Sequence, residues 1–482
     1  MKKAISLILA LTTLLLPMAG CSGGEDDMSY FSYYEIIEDD TAANTDSGST
    51  VSKSNDTVSK KEEATSSKNS SNKTNSTVGT ADTTYDFMAG KTYTMAITGE
   101  PQYETTSFKA MISAFQTKYK CKIKTATIDF GTYNQQVSQR MSTGEPYDIC
   151  FMHGSMFPTG PISGVYADLT EAVKQVDSSA LDTEKSNMFK WNGKLYGVCN
   201  SNSAYPWIFY YNKALFEEYG LEDPRTLYEK GEWTWDKIFE MGAEVTDQNE
   251  KRYFLSSYYV QTQMYGTSTI TIKDGKVQLN LKSEGTRLAL ELLQKIYCGN
   301  NAIGQKLDGS EHTKAFFEGR NFMYCEESSK YPDIAVGVKK SMAFNKKIDN
   351  IGIVPVPLPA QNTEKAYPTG WLTAVCAGEG SDARVAVAWA NFMATYKSTV
   401  KSENEYSKED QALLDSLMAG KILPNRHGAY ATSSTKSLSL HETLVTKVRN
   451  GEDIAKTIDE LYPQYVACIE ATVGKGNYKS SN

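Results

Sequence analysis

The chain has 482 residues and a formal net charge of −8, from 58 Asp and Glu against 50 Lys and Arg. An acidic balance without a basic stripe excludes a nucleic-acid surface, and the length is too great for one ordinary core, so two domains are expected. The seven cysteines that follow Cys21 are odd in number and include no C-x-x-C pair, which excludes a disulfide framework. Several stand in apolar runs, such as Cys150 in Asp148-Ile149-Cys150-Phe151-Met152, and are expected as buried free thiols.

At the N-terminus, Lys2 and Lys3 precede an apolar run from Ala4 to Leu16 that is short of the roughly 20 residues needed to span a bilayer. Pro17-Met18-Ala19-Gly20 then leads into Cys21, the layout of a secretory signal with a small-residue cleavage site. Met18-Ala19-Gly20-Cys21 resembles the bacterial lipobox, with Met18 where Leu is usual. Residues 1–20 are therefore expected to be removed, and Cys21 to carry diacylglycerol and anchor the protein on the outer face of the membrane. From Thr41 to Thr84 the chain is mostly Ser, Thr, Asn, Lys, Asp and Gly. Such a composition has little to bury and stays disordered. Residues 21–85 thus read as a tether, whose length of about 60 residues gives a root-mean-square span of roughly 45 Å.

The folded body opens as strand, helix, strand, helix, strand. A strand is expected over 93–97, then a helix on which Phe108, Met111, Ile112 and Phe115 fall at i, i+3, i+4 and i+7, capped by Thr106 or Ser107. A second strand over 121–128 and a helix over 133–141, with Val137 and Met141 inward, lead through Gly144 and Pro146 to a strand over 148–152. This alternation predicts an α/β unit with a parallel sheet, whose ligands sit at the carboxyl ends of the strands. Further along, 203–211 is a dense aromatic strand, and a short helix over 212–219 ends at Gly220. Thr234 caps the next helix; 287–297 and 383–396 read as helices, and 321–325 and 372–377 as strands.

Tyr211-Asn212-Lys213-Ala214-Leu215-Phe216, with Trp235-Asp236 some twenty residues on, resembles the family 1 extracellular solute-binding proteins of ABC importers, the maltose-binding type. Glu145-Pro146-Tyr147-Asp148-Ile149, Gly193-Lys194-Leu195-Tyr196-Gly197-Val198, Ile351-Gly352-Ile353-Val354-Pro355-Val356-Pro357 and Leu423-Pro424-Asn425 are similar to further family stretches in the same order. The resemblance implies a two-lobed periplasmic-binding-protein-like α/β fold with three interlobe crossovers and a central ligand cleft. It puts lobe one at 86–204 and 366–425, lobe two at 205–365 and 426–474, and a disordered tail at 475–482.

Catalytic patterns are weak. The four histidines are too dispersed in sequence for a local metal motif, and neither H-E-x-x-H nor G-x-S-x-G occurs. No cofactor and no metal are expected. Gly378-Glu379-Gly380-Ser381-Asp382-Ala383 fits G-x-G-x-x-A, but its two acids would face a pyrophosphate, so it reads as a turn. Aromatic residues are more informative: with 30 Tyr and 6 Trp, rings crowd the expected crossovers. A Trp or Tyr plane covers the C–H face of a sugar while carboxylates and amides bond its hydroxyls. Trp371, Tyr205 and Trp207 are the stacking candidates, and Tyr210 and Tyr211 belong to the strand core. Loop positions add Glu100, Tyr103, His153, Ser155, Tyr258, Glu326, Glu327 and Arg426, with the adjacent glutamates also consistent with one solvated face. The tryptophans that maltose-type members carry near Met152 and after Glu326 are missing.

Together the lipobox and the family resemblance imply a lipid-anchored, monomeric receptor at the extracellular face that captures a sugar, expected to be an oligosaccharide, and delivers it to ABC permease subunits. The rivals are a same-fold receptor for a phosphate ester, polyamine or metal, and a surface glycan-degrading enzyme.

Overall fold

The computed structural model describes residues 83–98, 103, 105–129, 132–256, 268–273, 275–307, 310–357, 369–398, 406–420, 422–424 and 440–480. Cys21, the signal segment, the tether before Thr83, Glu100, Tyr258 and Arg426 lie outside the described residues.

β1 (Thr92–Thr98) is followed by α1 (Thr106–Tyr119), which buries Phe108, Phe115 and Tyr119. Its cap is Thr105, whose Oγ1 accepts the Phe108 amide at 3.1 Å, one residue before the expected Thr106 or Ser107. β2 (Lys122–Ile128) runs parallel to β1, with Met95 opposite Thr125. After α2 (Tyr133–Ser142), with Val137 and Met141 buried, the chain returns beside β1 through the parallel pair Met95 and Ile149 and enters β3 (Cys150–His153). The first three strands are thus parallel, as the alternation predicts.

β4 (Ala204–Asn212) is buried along its length except at Tyr205. Asn212 then caps the short helix Lys213–Glu218, and Gly220 takes φ +67° beyond it. Thr234 caps α3 (Trp235–Val245) by accepting the Lys237 amide. β5 (Tyr253–Ser256) precedes a hairpin of β6 (Ile270–Lys273) and β7 (Lys276–Leu279), then α4 (Glu284–Tyr297). β8 (Asn321–Glu327), α5 (Tyr331–Lys340) and β9 (Ile351–Pro355) complete this part. β10 (Thr369–Cys376), α6 (Ala383–Thr395), α7 (Lys408–Ala419), β11 (Leu423–Pro424), α8 (Leu440–Arg449), α9 (Ile454–Val473) and β12 (Tyr478–Ser480) follow.

β4 and β10 carry the architecture. The first half of β4 pairs antiparallel with β10, Ala204 to Pro206 against Leu372 to Gly370. Its second half pairs with β8 and β9. β10 in turn pairs with β3 through Thr373 to Cys376 and His153 to Cys150. One set of ladders therefore runs from the β1–β2–β3 unit across β10 and β4 into the β8–β9–β5 unit, and the chain passes between the two units along these strands. The fold is the expected two-lobed α/β type. The sheet around β10 is mixed, because β10 runs antiparallel to β3 and β4, whereas β1, β2 and the start of β3 are parallel.

Gly370 makes the close approach of β10 to β4 possible. A Cβ at this position would stand 2.4 Å from the Tyr205 carbonyl oxygen and 2.9 Å from Pro206 Cα, and both are backbone atoms that have no freedom to swing aside.

Three parts of the chain depart from expectation. The last residues expected in the tether, Thr83 to Tyr85, open the 3-10 helix Thr83–Met88, and Tyr85 packs on Tyr119 with ring centroids 4.7 Å apart. The stretch expected as a disordered tail contains β12, which pairs in parallel with β7 through Tyr478 and Val277. Lys and Ser at that end carry no hydrophobic signal, and a free hairpin edge supplies the hydrogen bonds instead. α7 falls inside the 366–425 segment expected in lobe one, yet its Leu413 and Leu414 pack with Ile208, Tyr210, Tyr324, Tyr331 and Ile334 on the β4–β8–α5 side. The seven described cysteines are free thiols, five of them buried.

Candidate functional site

Side chains two residues apart on a strand share a face, and directly opposed residues on neighbouring strands stand side by side. The registers place His153 opposite Thr373, Trp371 opposite Tyr205, and Glu327 opposite Trp207. Thr373 and Trp371 are two apart, as are Tyr205 and Trp207, so all six residues occupy one face of β3, β10, β4 and β8. Five of the six are candidates chosen from the sequence, drawn from four separate parts of the chain.

Burial along this row is uneven, and the unevenness marks the site. His153 and Trp207 are buried at its flanks, while Thr373, Trp371 and Tyr205 between them are only half-buried. Two large rings are thus left partly uncovered where the ladders of the two lobes meet. The Trp371 ring has the His153 imidazole edge-on, with centroids 6.0 Å apart and planes at 77°. His153 Nδ1 is held 3.0 Å from Thr373 Oγ1. Sequence reasoning misses Thr373: its place two residues after Trp371 puts it on the same strand face, but only the register with His153 makes it part of the site.

Glu327 keeps 12% of its side chain exposed and has Lys330 Nζ at 3.8 Å, which leaves a carboxylate and an ammonium together beside Trp207. Glu326 is a correction. It is 3% exposed and on the opposite face, where its carboxylate accepts the Tyr324 hydroxyl at 2.7 Å and the Glu327 amide at 2.8 Å. Burial pushes its pKa up, and these two hydrogen bonds oppose the shift. The two glutamates do not form one solvated face, since strand alternation sends adjacent side chains opposite ways.

Tyr103 packs half-buried against Phe108 and Phe151, at 5.2 and 5.4 Å between ring centroids, and Phe151 shares the face of His153. Ser155 lies in the 3-10 turn Gly154–Met156 directly after β3. Tyr210 and Tyr211 are buried in β4, as expected. Among the described residues no group of three His, Cys, Asp or Glu is placed to hold a metal ion, and no helix is long and apolar enough to cross a membrane.

A cavity of about 550 Å³ opens at the other end of β4, lined by Tyr211, Asp223, Arg225, Tyr331 and Asp410 among others. Several of its polar groups are paired with one another: the Tyr211 hydroxyl donates to Asp223 at 2.7 Å, and Arg225 forms ion pairs with Glu229 at 2.8 Å and Asp410 at 3.5 Å. It lies away from the row of rings and is not the candidate site.

Comparison with known proteins agrees with this architecture. A carbohydrate ABC transporter substrate-binding protein from Streptococcus pneumoniae serotype 4 is 30% identical over 145 residues; the match spans 29% of this chain and 29% of that relative. An ABC substrate-binding protein from Listeria monocytogenes, solved in complex with cycloalternan, superposes with a TM-score of 0.56 at 19% identity, covering 80% of this chain and 99% of the other. The galacto-N-biose/lacto-N-biose I-binding protein of an ABC transporter from Bifidobacterium longum, solved with lacto-N-biose, gives a TM-score of 0.59 at 12% identity over 79% of this chain and 97% of the other. At these identities the structural matches establish the fold. Residues 99–400 match the model of the bacterial extracellular solute-binding proteins, and the chain belongs to that family.

Proposed function

We propose that the protein is a receptor that captures an oligosaccharide between its lobes and hands it to the permease of an ABC importer. The observation that carries this reading is the row on β3, β10, β4 and β8, in which half-buried Trp371 and Tyr205 are flanked by His153, Thr373 and Glu327. Rings with apolar faces beside a carboxylate and a hydroxyl suit a ligand with C–H faces and a fringe of hydroxyls. The three relatives, each named for a carbohydrate or solved with one, support the same ligand class.

No chemical step is needed. A ligand that touches both lobes binds the closed arrangement better than the open one, and moving such an equilibrium from 1:99 to 99:1 takes about 5.5 kcal/mol of differential affinity. In this reading lobe one comprises residues 86–204 and the segment from 366 through α6, and lobe two comprises 205–365 and the chain from α7 onward. Glu100, Ser155, Tyr258 and Arg426 remain proposed ligand contacts, and Glu326, buried on the opposite face, is not among them. The protein works as a monomer at the outer face of the membrane, held by lipid on Cys21. Calorimetric titration with oligosaccharides, amines and phosphate esters tests the ligand class.

A further inference from the structure

The face of β8 turned away from the row carries groups that ligand contact does not use. Tyr210 is fully buried there, and its hydroxyl donates to the Glu327 carbonyl at 3.0 Å and lies 3.3 Å from that of Ser328. The Tyr406 hydroxyl, just ahead of α7, donates to the Ser328 carbonyl at 2.7 Å and sits 3.1 Å from the Tyr210 hydroxyl. Each phenol has one proton, and two adjacent carbonyls take both: Tyr210 holds Glu327 and Tyr406 holds Ser328. Burial raises both phenols well above their ordinary range, so these donors stay protonated at physiological pH. The Tyr406 ring is fixed as well, stacked on Tyr331 with centroids 3.8 Å apart and planes at 21°.

This arrangement sits where the sheet stops supporting the chain. The ladder between β8 and β4 ends at the pair Glu327 and Trp207, and the next residues form a 3-10 turn in which the Tyr331 amide donates to Ser328 O. The direction of the Glu327 side chain depends on the peptides that follow it: Tyr210 holds the Glu327–Ser328 peptide through the Glu327 carbonyl, and Tyr406 holds the Ser328–Ser329 peptide through the Ser328 carbonyl.

We propose that Tyr406 is a positioning residue of the binding site: with Tyr210 it pins the two successive peptides after Glu327 from behind, so that the Glu327 carboxylate is aimed at a ligand before the ligand arrives. A side chain held in its bound geometry loses less entropy on binding, which is the ordinary benefit of preorganisation. The inference rests on the reading of Glu327 as a ligand contact.

Tyr406→Phe tests it, because phenylalanine keeps the ring on Tyr331 and removes only the donor. Hydrogen exchange of the full chain without ligand is the first readout. The Tyr331 amide is expected to exchange about tenfold faster in the variant, with α6 unchanged; an unchanged Tyr331 rate overturns the proposal. The second readout is titration with cycloalternan, lacto-N-biose and maltotetraose, in the parent and in a Glu327→Gln background. Tyr406→Phe is expected to weaken binding of the probe that binds about tenfold in the parent and not further once Glu327 is Gln. Equal losses in both backgrounds indicate a general structural role and overturn the assignment. If none of the three probes binds the parent, the sugar reading fails separately, and the exchange measurement alone decides whether the pin exists.

Discussion

Trp371 and Tyr205 stand directly opposite one another on β10 and β4, both half-buried, at the only paired stretch joining these two described strands. Every other ring on β4 is buried, so an uncovered pair at this place is a specific feature. It is what a receptor needs at the base of a cleft: two aromatic planes whose solvent-facing area a ligand can cover.

Trp371→Ala is expected to weaken oligosaccharide binding by about 1–3 kcal/mol, the range for truncating an aromatic anchor, with a native far-UV spectrum. Trp371→Phe keeps a plane and is expected to retain more affinity. Ligand should also perturb tryptophan emission in the parent and perturb it less in the Phe variant. Titration calorimetry and fluorescence check these outcomes, and an alanine variant of unchanged affinity assigns Trp371 to the core.

Gly370→Ala probes the close approach of β4 and β10. The added Cβ would meet the Tyr205 carbonyl oxygen at 2.4 Å, so one strand must move. We expect a loss of about 1–3 kcal/mol of stability by urea denaturation, in the range found when a packed interior is overfilled. A variant with the parent's midpoint would show that the strands can part here at little cost.

Acid should destabilise the body partly through His441. It is fully buried on α8, and desolvation lowers its pKa to about 3 from the ordinary 6.5. The unfolded chain then binds a proton below about pH 6.5 that the native protein refuses until about pH 3. Stability contributed by the neutral form is therefore present above pH 6.5 and declines on acidification, by about 1.4 kcal/mol per pH unit well inside that window. Buried Glu326 acts in the opposite sense, since a raised carboxyl favours the native state as pH falls. Comparing His441→Gln with the parent between pH 4.5 and 7 isolates the histidine, and the variant should show the shallower decline. Equal slopes would contradict the burial argument.

Much of this fold is legible in the sequence, because α1 carries an i, i+3, i+4, i+7 apolar stripe, β1 and β2 are runs rich in β-forming residues, α2 has Val137 and Met141 on one face, and Thr234 is a cap by residue type. The legible part of the site is its aromatic content. What the sequence does not carry is register. The pairing of Trp371 with Tyr205, and the opposite facing of Glu326 and Glu327, depend on which residues of distant strands meet. The same holds for Thr373, whose value comes from His153 lying across the ladder. Position after β10 points α7 to lobe one, while the packing of Leu413 and Leu414 against Tyr210 and Tyr324 decides where it belongs.

The lipid anchor makes its own prediction. Cys21→Ser removes the thiol that diacylglycerol would modify, and the protein should move from the membrane fraction to the medium. Detergent phase partitioning reads the change, and unchanged partitioning into detergent would show that another segment holds the protein at the membrane.

The central claim is that this protein binds a sugar reversibly and leaves it intact. The direct measurement is calorimetric titration of the full-length Cys21→Ser protein with a panel of oligosaccharides, polyamines and phosphate esters, followed by recovery of the bound compound and its analysis by mass spectrometry. The account predicts saturable one-to-one binding of an oligosaccharide, recovered unchanged. Binding of an amine or phosphate ester with none of any sugar, or recovery of the sugar as cleavage products, would contradict it.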